Sequence, residues 1–126
     1  MLSTKNRYVL WFDEIVMEDV PLVGGKSASL GEMTQRTGVP VPYGFATTAE
    51  AYRHYLKMNK INEKMVEILS EIKDPNDTKT LQSVGARIRK MVATAEMPPD
   101  LGKEIMKAYK DLAKKVGDTN PFVAVR

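Results

Sequence analysis

From Thr47 to Gly117 apolar residues recur at helical spacing in four consecutive stretches, and that periodicity decides most of what this chain can become. Tyr52, Tyr55 and Leu56 mark the first stretch, and Ile61, Met65, Ile68, Leu69 and Ile72 the second. Leu81, Val84, Ile88, Met91 and Val92 mark the third; Leu101, Ile105, Tyr109 and Leu112 mark the fourth. Residues three and four apart share one face of a helix, so each stretch has one apolar side that must be buried. The punctuation agrees. Thr47 with Glu50 three residues later has capping-box form. Asp74-Pro75-Asn76-Asp77 separates the second stretch from the third, and Pro98-Pro99 and Gly117 bound the last.

The flanks read differently. Tyr8-Val9-Leu10-Trp11-Phe12 is a short aromatic and aliphatic run between Arg7 and Asp13, as expected of a buried strand. Pro21 interrupts, and Gly24-Gly25 opens a short helix from about Lys26 to Arg36, with Ala28, Leu30 and Met33 inward and Gly38 as its stop. Val39-Pro40-Val41-Pro42-Tyr43-Gly44-Phe45 cannot be helical, because each proline forces its predecessor toward extended geometry. Phe122-Val123-Ala124-Val125-Arg126 reads as a closing strand. The expected fold class is α+β, with four or five helices against a small sheet built from segments 8–12, 41–46 and 122–126.

At 126 residues the chain is long enough for one domain with a real core. It has no cysteine, which excludes disulfides and thiolate chemistry and fits a cytoplasmic protein. The net charge of +3 is small, and Lys103, Lys107, Lys110, Lys114 and Lys115 alternate with Glu104 and Asp111. That pattern is a solvated helix face rather than a nucleic-acid surface. The start, Met1 to Arg7, is polar, and no apolar run reaches membrane-spanning length, so neither a membrane nor a targeting signal is expected.

Two places could carry chemistry. Gly24-Gly25-Lys26-Ser27 puts two glycines and a lysine at a helix start, where backbone amides can approach an anion closely. A lysine in the first turn opposes the helix dipole at a cost of roughly 0.3–1 kcal/mol, which a bound phosphate would offset. The motif is not a P-loop, because the glycine required five residues earlier is Val20. On the residues alone, a flexible turn with a solvated lysine is the commoner outcome. Arg126 would deliver a permanently charged fork to the end of a strand, suited to bidentate phosphate contact, although an arginine pairing with a carboxylate is commoner there. His54 is the single histidine and has no nucleophile or metal partners in its pattern, so a packing or surface role is expected. The pairs Asp13-Glu14 and Glu18-Asp19 are adjacent carboxylates that project apart, and no metal site is expected from them.

Val23-Gly24-Gly25-Lys26-Ser27-Ala28-Ser29-Leu30-Gly31-Glu32-Met33 resembles the opening signature of the phosphoenolpyruvate-utilising dikinases. Val39 to Thr48 resembles the next block of that family in register. Val9-Leu10-Trp11-Phe12, Phe45-Ala46-Thr47-Thr48-Ala49 and Gly85-Ala86-Arg87-Ile88-Arg89 favour the phosphoenolpyruvate synthase (pyruvate, water dikinase) branch. The segment Phe122 to Arg126 resembles the strand that leads, in the family, into Ser-Ser-Ala-Thr-Ala-Glu-Asp. The resemblance implies that residues 1–126 are the N-terminal portion of an ATP-grasp-type nucleotide-binding domain, cut at Arg126. It implies contact with ATP phosphates through Lys26, Arg126 and the glycines Gly24 and Gly25, with no catalytic residue in this stretch. It further implies a Mg2+ requirement met by ligands outside it, a phosphohistidine on another domain, and pyruvate bound through domains not present here. Activity from the fragment alone is not expected, and self-association through apolar surface left open by the cut is. The pyruvate phosphate dikinase branch, another phosphotransferase of the family, and a free-standing helical interaction module are the alternatives.

Overall fold

In the computed structural model the described residues are 7–126; the polar start, residues 1–6, lies outside them. The order is β1 (Val9–Trp11), two single 3-10 turns, α1 (Val20–Glu32) running into a π-turn at Met33–Thr37, β2 (Phe45–Thr47), α2 (Ala49–Met58), α3 (Ile61–Leu69), α4 (Thr78–Thr94) and α5 (Pro99–Val116). These sort into two compact units, one reaching to Tyr52 and resuming at Pro99–Arg126, the other Arg53–Pro98.

In the first unit β1 and β2 pair antiparallel, Val9 opposite Thr47, Leu10 opposite Ala46 and Trp11 opposite Phe45. Backbone bonds from Phe12 N to Gly44 O (3.0 Å) and Thr48 N to Tyr8 O (2.9 Å) extend the ladder at both ends. Leu10, Ile15, Ala28 and Ala46 form the core cluster, with Phe12 and Val23 against it. Small residues let α1 lie close. A Cβ on Gly31 would fall 2.4 Å from the Ile15 carbonyl oxygen, and one on Gly44 2.3 Å from the Phe12 ring. The sequence reading places Pro21 as a break; it instead occupies the first turn of α1, where its missing N–H costs nothing.

α2 is capped by Thr48 rather than Thr47. Its buried Oγ1 accepts from Ala51 N (3.2 Å) and donates to the Arg7 carbonyl (2.6 Å), tying the helix start to the chain just before β1. Helix α5 buries Leu101, Ala108, Leu112 and Ala113 and exposes Lys103, Lys107, Lys110 and Lys114, the solvated face its sequence suggests. Lys115 departs from it. Its ammonium sits 4.2 Å from the Trp11 ring centroid and 5.6 Å from that of Tyr43, a cation–π contact between α5 and the β1 side of the unit. Gly117, at φ 74°, closes α5 in a Schellman turn, with Asp118 N bonding Ala113 O and Gly117 N bonding Lys114 O.

One expected element does not form. Residues 122–126 are irregular, and Phe122 and Val125 are almost fully exposed, so the sheet has two strands instead of three. A strand exists only when a neighbour takes up its N–H and C=O groups, and among the described residues none does so here. The strand expected at 41–46 is also shifted: residues 39–43 are irregular, Gly44 gives only its carbonyl to the Phe12 amide, and the paired strand begins at Phe45.

In the second unit, α3 and α4 bury Ile61 and Val84. Tyr55 Oη donates to the Val92 carbonyl (2.6 Å), and Asn59 exchanges side-chain hydrogen bonds with the backbone of Glu96 (2.9 and 3.1 Å). Asp77 caps α4 through Thr80 N, and Arg87 pairs with Glu71 across the α3–α4 connection. His54 lies half-buried on α2.

Candidate functional site

The glycine motif is not the loop-to-helix junction that its residues suggest but a kink inside α1. Gly24 has φ 81° and ψ 167°, a combination that only glycine occupies at low cost. The helix breaks there and restarts at Gly25. Gly24 caps the second segment, so by helix geometry the first-turn amides after it have no carbonyl of their own segment to bond. These amides carry the positive end of the segment's dipole. Around Gly24 and Gly25 the space is open: a Cβ at either position would meet nothing within 4 Å. An anion could therefore approach the backbone as closely as hydrogen bonding requires.

Two positions before Ala28, which is fully buried, Lys26 lies on the opposite side of the helix and is exposed. Among the described residues it has neither a hydrogen bond nor an ion pair. An unpaired ammonium beside amide donors, in a helix first turn where it is electrostatically unfavourable, is chemically suited to neutralising an anion. Arg126 is exposed at the end of the irregular segment 122–126, in the same compact unit. It too lacks an ion pair among the described residues, and no hydrogen bond joins it to the glycine motif. The structure thus places Gly24, Gly25 and Lys26 at an open kink in α1 and Arg126 on an irregular segment.

The far end of α1 is tied down by groups that sequence reasoning passes over. Glu32 accepts from the Met17 amide (2.9 Å) and pairs with Arg36 (3.1 Å), which also reaches Glu18 (3.3 Å). Gln35 Nε2 donates to the Ile15 carbonyl (2.5 Å). The Glu32–Arg36 pair has i, i+4 spacing and was legible in the sequence; Glu18, eighteen residues from Arg36, was not. The Arg36 pKa is raised, first by its hydrogen bond to Glu32 and then by Glu18. Glu18 is lowered, by its own backbone amide and then by Arg36. On β1's flank Arg7 grips Glu14 bidentately (2.6 and 3.1 Å). Burial pushes the Glu14 carboxyl up, but Arg7 and the Trp11 amide outweigh it and hold the group below its ordinary value.

Among the described residues no three or more His, Asp or Glu side chains gather closely enough to hold a metal ion. Two shallow depressions follow α5, one along Lys103, Met106 and Lys107 and one beside Tyr109, Lys114 and Gly117. Neither touches the glycine motif, and their open lysine-lined walls offer no convergent chemistry.

The sequence profile of the pyruvate phosphate dikinase AMP/ATP-binding domain matches residues 20–126, from the first residue of α1 to the end. The chain belongs to that family. Within this AMP/ATP-binding domain family its relatives include a protein of Staphylothermus marinus named probable phosphoenolpyruvate synthase, 45% identical over 113 residues, which cover 90% of this chain and 13% of that protein. A probable phosphoenolpyruvate synthase of Methanocaldococcus jannaschii is 45% identical over 120 residues, 95% of this chain and 10% of its own length. The phosphoenolpyruvate synthase of Neisseria meningitidis is 42% identical over 124 residues, 96% of this chain and 16% of that enzyme. The chain thus spans well under a fifth of each of these relatives. Its glycine kink and Lys26 fall inside the matched AMP/ATP-binding domain, as does Arg126. Among the described residues no helix is long and apolar enough to cross a membrane.

Proposed function

We propose that this chain is the N-terminal, phosphate-contacting part of the nucleotide-binding domain of a cytoplasmic phosphoenolpyruvate synthase. Such an enzyme converts ATP, pyruvate and water to phosphoenolpyruvate, AMP and phosphate through a phosphohistidine carried on another domain. One observation carries the reading: Lys26 stands exposed and unpaired in the first turn after a glycine-only kink, with open space around both glycines. The names of the relatives support the choice of reaction.

Phosphoryl transfer asks little covalent chemistry of the protein. Catalysis lies in holding the phosphates in line and neutralising the charge that spreads over their oxygens. Here Gly24 and Gly25 would bring amide donors to the phosphates, and Lys26 would add a mobile point charge. Arg126 would add a planar, two-pronged contact once segment 122–126 is paired as a strand. Magnesium would share the phosphate charge, and the proposal places its ligands outside residues 1–126. On this account the 126 residues alone do not catalyse the reaction.

The arginine half is tested by Arg126→Ala in the full-length gene product. ATP-dependent phosphohistidine formation should fall at least tenfold, a loss of about 1.4 kcal/mol or more in transition-state stabilisation. Arg126→Lys should recover only part of it, because an ammonium cannot make the bidentate contact. A wild-type rate in Arg126→Ala removes Arg126 from the site.

A further inference from the structure

The glycine kink sits at the free apex of a closed loop. Met17 precedes Gly24 by seven residues and Glu32 follows it by eight, and the Glu32 carboxylate accepts the Met17 amide at 2.9 Å. The same carboxylate meets Arg36 Nη1 at 3.1 Å, and Arg36 reaches back to Glu18 at 3.3 Å. One turn away, Gly31 packs directly on Ile15, so no Cβ fits between them, and Gln35 bonds the Ile15 carbonyl. These polar ties lie at the base of the loop, while Val23 and Ala28 pack the limbs beside the apex against the core. The apex, Gly24 to Lys26, has no such tie among the described residues. The helical segment from Gly25 to Glu32 spans roughly 12 Å at 1.5 Å per residue, so its base aims a lever whose tip is the amide donors and Lys26.

We propose that Glu32 is a positioning residue of the phosphate site: by joining the Met17 amide to Arg36 it fixes the direction in which the restarted helix presents its first turn. This inference rests on the phosphate-binding role of Lys26 proposed above. Glu32 touches no phosphate itself. Its effect is geometric, and a displacement of about 1 Å at a transferring group is enough to cost a large factor in rate.

The test is a double-mutant cycle in the full-length gene product, read as the rate of ATP-dependent phosphohistidine formation at sub-saturating ATP, with circular dichroism confirming the fold of each variant. Glu32→Ala should lower the rate on the order of tenfold. Glu32→Gln keeps an acceptor for the Met17 amide and should restore most of it. In a Lys26→Ala background, Glu32→Ala should change the rate less than about twofold, because the group it aims is already gone. Should Glu32→Ala misfold, Arg36→Gln and Glu18→Gln, both on the surface, take its place and should show the same non-additivity with Lys26→Ala on a smaller scale. Full multiplication of the two losses, or a wild-type rate in Glu32→Ala, overturns the positioning role while the Lys26 loss leaves the site itself standing. A wild-type rate in Lys26→Ala fails the underlying reading, and the positioning role with it.

Discussion

Lys26→Ala in the full-length gene product should cut ATP-dependent phosphohistidine formation by well over tenfold, and Lys26→Arg should recover little. The effect is electrostatic and local. Lys26 lies in the first turn of a restarted helix, where its charge opposes the dipole by roughly 0.3–1 kcal/mol. It is exposed and has no ionic partner among the described residues. Nothing in the fold offsets that cost, so the lysine gains most when a polyanion lies across the amides. Removing it deletes a point charge from the phosphates, and a loss exceeding tenfold corresponds to more than about 1.4 kcal/mol. Arginine carries the charge, but its wider, planar head does not reproduce the compact ammonium beside a close backbone approach. Folding should be untouched, because the Lys26 side chain has no hydrogen bond or ion pair to lose. A loss of activity at unchanged melting temperature is the signature to look for.

The second large effect is on stability. Gly31→Val should lower the melting temperature of the chain by roughly 10 °C, from a loss of about 3 kcal/mol or more. A Cβ at Gly31 falls 2.4 Å from the Ile15 carbonyl oxygen and 2.6 Å from the Ile15 Cβ. The first of these is backbone, so no rotamer change relieves it, and either α1 or the segment after β1 must move. That shift opens the cluster of Leu10, Ile15, Ala28 and Ala46 at the point where the helix is mounted. Gly25→Ala is the matched control. Its Cβ meets nothing within 4 Å, and its φ is not in the left-handed region, so the melting temperature should hold or rise slightly. Thermal unfolding of the two variants side by side separates the packing role of Gly31 from the solvent-facing role of Gly25.

How much of this was legible in the sequence depends on the range of the interaction. Helices α3, α4 and α5 were legible because Ile61, Val84, Leu101 and Leu112 repeat at the period of the structure that buries them. Gly38 and Gly117 announced their helix ends, both at positive φ. The cap of α2 was misplaced by one residue because Thr47 and Thr48 are chemically equal, and only the partner at Arg7 selects Thr48. Segment 122–126 has the composition of a strand, but composition does not supply the neighbour that makes one. At the site, the glycines and Lys26 could be singled out locally, yet local reasoning favoured a plain turn. What raised them above it was resemblance in the residues around them. The Gly24 kink, the Glu18–Arg36 pair and the Glu32–Met17 bond stayed hidden, since they depend on how α1 meets the chain that precedes it.

The central claim is that the first turn after Gly24 holds the phosphates of ATP and shares them with Arg126. A crystal structure of the full-length gene product with a non-hydrolysable ATP analogue tests it directly. Lys26 Nζ and both terminal nitrogens of Arg126 should lie about 2.7–3.2 Å from phosphate oxygens, with the Gly25 or Lys26 amide donating to the same group. An analogue bound with Lys26 pointing into solvent, or with Arg126 on a different face from the phosphates, would contradict it.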